Sequence, residues 1–135
     1  MSYLLDTNAC IRYLNSSNNP VFYRLNLLPP DDVLLCDIVK FELHYGAYKS
    51  YNIDKNLENL KIFFNEFVSL PFDGQAADIC GYIRSDLNKK GTPIGVYDLQ
   101  IASIAIANNL VLVTHNVGEF SRIEGLQYED WEIVL

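Results

Sequence analysis

Acidic residues recur in this chain where a carboxylate is costly. In YLLDTN a short apolar run, Tyr3-Leu4-Leu5, ends abruptly in Asp6, Thr7 and Asn8. In DIVKFELHYGA, Glu42 lies between Phe41 and Leu43, with Ile38, Val39, Tyr45 and Gly46 about one turn away and Lys40 and Lys49 off its face. GTPIGVYDLQIA carries Asp98 near the start of an almost wholly apolar segment. LVLVTHNVGEF runs from an apolar strand into Thr114, His115 and Asn116, with Glu119 three residues further on. Taken singly, most have an ordinary explanation. Asp6 or Thr7 can cap a following helix, Asp98 is favoured by a helix dipole, and Asn116 with Glu119 has the spacing of a capping box. Glu42 has none, because a half-buried carboxylate needs a partner.

Taken together, the acids predict a different chemistry. Two like charges about 4 Å apart repel by roughly 4 kcal/mol at an effective dielectric near 20. Carboxylates sharing a site therefore take up protons or bind a cation. Oxygen ligands without paired histidines or thiols select a hard ion, Mg²⁺ or Mn²⁺, over zinc. Such a site, open to water, suits hydrolysis of a phosphodiester.

The elements that must position these groups follow from the hydrophobic pattern. Strands are expected at 3–5, 33–36, 68–71 and 110–113, with an edge strand over 131–135. Helices are expected over 37–48, 56–67, 75–90 and 96–109, with Gly91 ending the third. Strands alternating with helices predict an α/β chain with a mostly parallel sheet. In open parallel sheets, ligands gather beyond the carboxyl ends of the strands. Asp6 and Asn116 both lie just past such an end and converge if their strands are neighbours.

Bulk properties set the frame. A length of 135 residues, half of them hydrophobic, predicts one domain over 1–135 with a real core. The net charge of −7 argues against a non-specific nucleic-acid coat, though not against an enzyme that meets RNA on a local basic strip. Arg84, Lys89 and Lys90, just before the Asp98 loop, are the candidates for such contacts; the ordinary explanation is a solvated helix end. Cys10, Cys36 and Cys80 form no CxxC pair and are expected as free, buried thiols of a reducing compartment. No apolar run is long enough to span a membrane and no basic-then-apolar leader opens the chain, so a cytoplasmic location is expected. Nine Tyr, seven Phe and one Trp exceed the needs of a small core. Part of this surplus, with the apolar residues of 10–14 and 57–67, is expected to form a groove for a partner.

In this order and in these contexts, YLLDTN, the Glu42 of FELHYGA, GTPIGVYDLQIA and LVTHNVGEFSRI resemble the PIN-domain family, specifically the VapC toxins of bacterial type II toxin–antitoxin pairs. The similarity runs over 3–131. It implies a PIN-like three-layer sandwich, with a mostly parallel central sheet flanked by helices. It further implies an Mg²⁺-dependent endoribonuclease, Mn²⁺ being the other candidate ion, with transfer RNA the substrate of members whose Asp98-type loop is similar. The resemblance assigns Asp6, Asp98 and Glu42 as metal ligands, with Asn116 or Glu119 as the fourth site group. Thr7, Asn8 and Thr114 become supporting groups that fix carboxylate rotamers, and Glu119 joins them if Asn116 is the fourth group. A VapB-type antitoxin and a homodimer are the implied protein partners. Some members carry Asp where this chain has Asn116, so the alternative is a PIN-fold module that binds RNA or protein with a weakened or absent activity. Phosphatases of the haloacid-dehalogenase type need a second acid where Asn8 stands. A receiver domain needs an N-terminal acidic pair and a later Lys after a strand. Neither pattern is present.

Overall fold

A computed structural model describes residues 1–133. The chain runs β1 (Tyr3–Leu5), α1 (Thr7–Asn15), α2 (Pro20–Asn26), a 3-10 turn at Pro30–Asp32, β2 (Val33–Cys36), α3 (Asp37–Tyr48) and α4 (Ile53–Phe64). It continues through β3 (Val68–Leu70), α5 (Gly74–Lys89), α6 (Val96–Ala107), β4 (Val111–Val113), α7 (Val117–Phe120) and β5 (Tyr128–Glu129).

The five strands form one sheet in the order β3-β2-β1-β4-β5, and every pairing is parallel. The central strands are continuous apolar runs because both faces are covered, and Leu4, Leu5, Leu35 and Leu112 are fully buried. The chain steps from β1 to β2 to β3 in one direction, then returns past β1 to β4 and β5. Right-handed crossovers therefore lay α1–α4 on one face and α5–α7 on the other, giving three layers. The reversal of direction lies between β1 and β4, where Leu5 is in register with Val113. That is the place where an open parallel sheet offers a crevice at its carboxyl edge.

α6 is apolar all round because it lies inside the fold, with Leu99, Ile101, Ala102, Ile104 and Ala105 buried. Ser103 in the same run satisfies its hydroxyl by donating to the Leu99 carbonyl at 2.6 Å. Both long helices of this layer stop the same way. Gly91, at φ 72°, closes α5 with Thr92 N donating to Leu87 O, and Asn109, at φ 59°, closes α6 with Leu110 N donating to Ala105 O.

The structure departs from the sequence reading at three elements. α2 has no counterpart there, although Asn19-Pro20 is a capping residue followed by proline in the first helical position; Asn19 Oδ1 accepts from Phe22 N at 2.9 Å. α4 begins at Ile53 rather than 56, with Asp54 inside its first turn, and ends at Phe64. The edge strand is Tyr128–Glu129, not 131–135. Asp130 ends it by accepting Glu132 N on its side chain at 2.9 Å, a turn that breaks the extended run. Trp131 then tucks against Tyr3, ring centroids 5.2 Å apart; residues 134–135 lie outside the described region.

Cys10 and Cys36 are buried free thiols, and Cys80 is half-buried rather than buried. Burial, more than any neighbour, pushes the Cys36 thiol up to about 11 and Cys10 well above its usual value, so both are chemically quiet. No helix of the described residues is long and apolar enough to cross a membrane.

The core reading has a direct check. Ile104→Ala removes a fully buried side chain from the central helix and is expected to cost about 2–5 kcal/mol, read as a lower urea midpoint at unchanged slope.

A candidate acidic active site

The backbone of β1 delivers Asp6 to the crevice. Its amide donates to Val113 O at 3.1 Å, which fixes the residue beside the end of β4. The carboxylate is 4 % exposed and caps α1, accepting from Ala9 N at 2.8 Å. The Thr114 hydroxyl, buried at the end of β4, is a second hydrogen-bond partner. These bonds favour the ionised form, yet burial outweighs them. With added repulsion from Glu132 and Glu42, the Asp6 carboxyl is pushed up to about 6. Both explanations of YLLDTN thus hold at once: Asp6 is a helix cap and a carboxylate under electrostatic stress.

α3 springs from the end of β2 and carries Glu42 in its second turn. The partner its half-buried position demands is Thr7, whose hydroxyl donates to Glu42 Oε1 at 2.6 Å. The nearby lysines are engaged elsewhere, Lys40 over the Phe64 ring and Lys49 over the Tyr45 ring. Asp98 lies in the first turn of α6, whose cap residue is Gly95. A helix dipole lowers a carboxyl at this position, but Asp98 is instead pushed up to about 6. Burial is the largest cause, followed by Glu119, Asp6 and Glu42. The residues just before Glu42 and Asp98 touch: Phe41 and Tyr97 meet edge to face, centroids 5.3 Å apart, tying α3 to α6 beside the two acids.

Glu119 is the group whose role changes most on folding. The capping-box reading is corrected: Asn116 makes no side-chain cap on α7. Its side-chain amide donates to Glu119 Oε2 at 3.1 Å, and its own backbone amide donates to the Thr114 hydroxyl at 3.0 Å. Glu119 is the charge that raises Asp98 most, ahead of Asp6 and Glu42. Asn116 therefore orients the Glu119 side chain rather than capping α7.

Asp6, Glu42, Asp98 and Glu119 thus lie toward the carboxyl edge of the sheet, where the charge of Glu42 bears on both Asp6 and Asp98 and that of Glu119 bears on Asp98. Among the described residues the ion pairs are Arg12 with Glu132, Lys90 with Asp86 and Glu124, and His115 with Asp130 and Glu132; none reaches these four acids. An all-oxygen donor set under mutual repulsion, with no cationic side chain to relieve it, fits a hard divalent cation.

Other expected groups fall differently. Asn8 is exposed and faces a side cleft, making no side-chain hydrogen bond to a carboxylate among the described residues. Arg84 and Lys89 line a shallow hollow on α5 with Gly81, Ser85 and Asn88. Lys90 is bound at 2.9 Å to Asp86, which chiefly raises its pKa, and lies 3.5 Å from Glu124, so it is already occupied. His115 is exposed but tied to Asp130 at 2.9 Å, which raises its pKa. The sequence reading missed Glu132, because a strand assigned over 131–135 hid an acid that bears on Asp6. The signal available was Asp130-Trp131-Glu132 directly after an apolar-polar strand end.

A groove of about 560 Å³ runs between α1, α3 and α4, walled by Ile11, Leu14, Leu60, Ile62 and Phe63 and reaching Glu42 at one side. It lies where the apolar residues of 10–14 and 57–67 were expected to leave one.

Comparison with known proteins follows the same outline. Residues 3–126 match the PIN domain family model. The tRNA(fMet)-specific endonuclease VapC of Salmonella typhimurium is 40% identical over 97% of this chain and 98% of its own length. Ribonuclease VapC2 of Rickettsia felis is 38% identical over 98% of this chain and 99% of its own. The crystal structure of VapBC2 from Rickettsia felis, bound to a DNA fragment from their promoter, superposes with a TM-score of 0.91 at 38% identity, covering 97% of this chain and 99% of that one.

The stressed carboxylates fix a pH dependence. Asp6 keeps its proton to about pH 6 when folded, against 3.8 for the free group. Stability is unpenalised below the lower value, falls as pH rises through 6, and carries the full cost above it, roughly 3 kcal/mol. Asp6→Asn keeps an efficient cap and removes that cost. In EDTA the variant is expected to melt higher than the parent at pH 8, with the gap closing toward pH 4. A gap that is flat with pH would mean that Asp6 is not strained.

Proposed function

The chain belongs to the PIN-domain family, and on that premise we propose that it is an Mg²⁺-dependent endoribonuclease, the toxin of a type II toxin–antitoxin pair, acting on transfer RNA in the cytoplasm. One observation supports the reading: Asp6 and Asp98 are both raised to about 6, with Glu42 bearing on both and Glu119 on Asp98, and no side-chain ion pair among the described residues reaches these acids. The S. typhimurium relative, named for its action on tRNA(fMet), supports the substrate class. Glu119 beside Asp98 supplies the charge that Asn116 lacks, which favours catalysis over a merely RNA-binding or protein-binding module.

Asp6, Asp98 and Glu42 are the residues that would hold Mg²⁺, with Glu119 closing the ring. The bound ion would contribute positive charge against the phosphate and orient water near it. The chain's own groups do the rest. Thr7 fixes the Glu42 rotamer, leaving that carboxylate to accept the proton of the attacking water. Thr114 and the Ala9 amide hold Asp6, and Asn116 orients Glu119. Hydrolysis adds water across a P–O bond, so this positioning supplies most of what the protein can contribute. Arg84 and Lys89 are the candidates for backbone phosphate contacts. The apolar groove ending at Glu42 is where a VapB-type antitoxin segment would seat; the solved relatives were crystallised as VapBC complexes. We assign the chain a homodimeric state on family grounds.

Incubation with tRNA is expected to give discrete fragments with Mg²⁺ and none with EDTA. Asp6→Asn or Asp98→Asn should slow cleavage by about 10²–10⁴-fold with the fold retained. Cutting that persists in EDTA, or intact RNA binding without cutting, would favour the binding-module alternative.

Replacing Arg84 and Lys89 with Ala tests the basic strip. If they touch phosphates, the slope of log affinity against log salt flattens by roughly 0.7 for each phosphate no longer neutralised on single-stranded RNA. An unchanged slope would assign them to an ordinary solvated helix.

A further inference from the structure

β4 and β5 end side by side, and the residues just beyond them meet. Thr114 N donates to Glu129 O at 3.0 Å, so His115, one residue past that bond on its strand, faces Asp130 and Glu132 on the other. His115 Nδ1 lies 2.9 Å from Asp130 Oδ2 and 3.5 Å from Glu132 Oε2, and all three donor atoms are within 4.8 Å of one another. We propose that His115, Asp130 and Glu132 form a second cation site, for Zn²⁺ or a similar transition ion, beside the acidic crevice and separate from it.

The spacing suits such an ion. Four ligands about 2.0–2.1 Å from a tetrahedral centre stand about 3.3–3.4 Å from one another, and the two observed separations bracket that value. The donor set discriminates as well. One imidazole with two carboxylates matches Zn²⁺, whereas the all-oxygen crevice matches a harder ion.

Each carboxylate is already oriented for the task. Asp130 uses Oδ1 to accept Glu132 N at 2.9 Å, which leaves Oδ2 toward His115. Glu132 engages Arg12 Nε through Oε1 at 3.0 Å, which leaves Oε2 toward His115. Both acids thus spend one oxygen on a protein donor and present the other, the outer support by which ligating side chains are held in place. Asp130 is almost enclosed, its side chain 7 % exposed, while His115 is 66 % exposed. The site opens into a cleft of about 380 Å³ bordered by Asn8, Arg12, Asn15 and Asn116. Three protein ligands leave the remaining coordination to water, an open rather than a sealed site. Glu132 also bears on Asp6, so a cation here would ease repulsion in the neighbouring crevice.

The test reads metal binding, independent of any nuclease activity. The full chain is stripped of metal and titrated near neutral pH with Co²⁺, followed by visible absorption, and with Zn²⁺, followed by calorimetry. The expected result is a visible band of a low-coordinate Co²⁺ site in the parent and in Asp98→Asn, lost in His115→Ala. Zn²⁺ affinity should fall about tenfold or more in His115→Ala and in Glu132→Gln, with the circular dichroism spectrum unchanged. Two outcomes overturn the proposal. A band and affinity unaltered in His115→Ala would place the ion elsewhere. No binding up to millimolar metal would leave the three groups as a protonated imidazole clasped by two carboxylates.

Discussion

The parallel pairing of β1 with β4 is the constraint from which the rest follows. It brings the ends of two apolar strands together at the one point where the sheet reverses its order. Asp6 is locked there by its backbone bond to Val113 O, so its carboxylate is committed to a nearly closed position whatever the cost. That cost is visible in its raised pKa. Every neighbouring feature supports or shares the same charge: Thr114 and Ala9 bond it, Glu42 and Glu132 repel it, and Asp98 answers it from α6. A repulsive centre of this kind persists only because a well-packed core holds its walls apart.

Rigidity therefore has to come from outside the acids. Three of the four are fixed by a neutral donor and not by a cation: Glu42 by Thr7, Glu119 by Asn116, Asp6 by Thr114 and the first turn of α1. Neutral donors restrict rotamers without neutralising the charge that would draw in a divalent ion. The Phe41–Tyr97 contact does the same at a larger scale, joining α3 and α6 through the residues just ahead of Glu42 and Asp98. Had Lys40 or Lys49 reached Glu42, the site would have been satisfied internally; both are held on aromatic faces instead.

Much of this was legible in the chain because the signals are local and strong. The apolar runs at β2 and β4, the uniformly apolar α6 and the Gly91 stop are read from periodicity and backbone chemistry alone. The parallel sheet followed from alternation of strands and helices. What escaped depended on contacts between distant residues. Asn116 and Glu119 have the spacing of a capping box, and only the position of Asp98 reveals that the amide bonds the Glu119 side chain and not a helix end. Lys90 read as an available cation until the fold placed Asp86 and Glu124 beside it. The edge strand was misplaced because Trp131 and Ile133 look like strand residues, whereas the Asp130 turn had already ended the pairing.

α1 is where these separate features meet. Its cap is Asp6, its first residue holds Glu42, and its Arg12 holds Glu132. Ile11 borders both the apolar groove on one side and the polar cleft on the other. The helix is only nine residues long, too short to be stable apart from its packing. Its position, and with it the rotamers of both acids, is therefore set by what packs against it. The groove is therefore walled by the same helix that holds Glu42 through Thr7, and it reaches Glu42 itself, so the apolar groove and the acidic edge share α1 as a common wall.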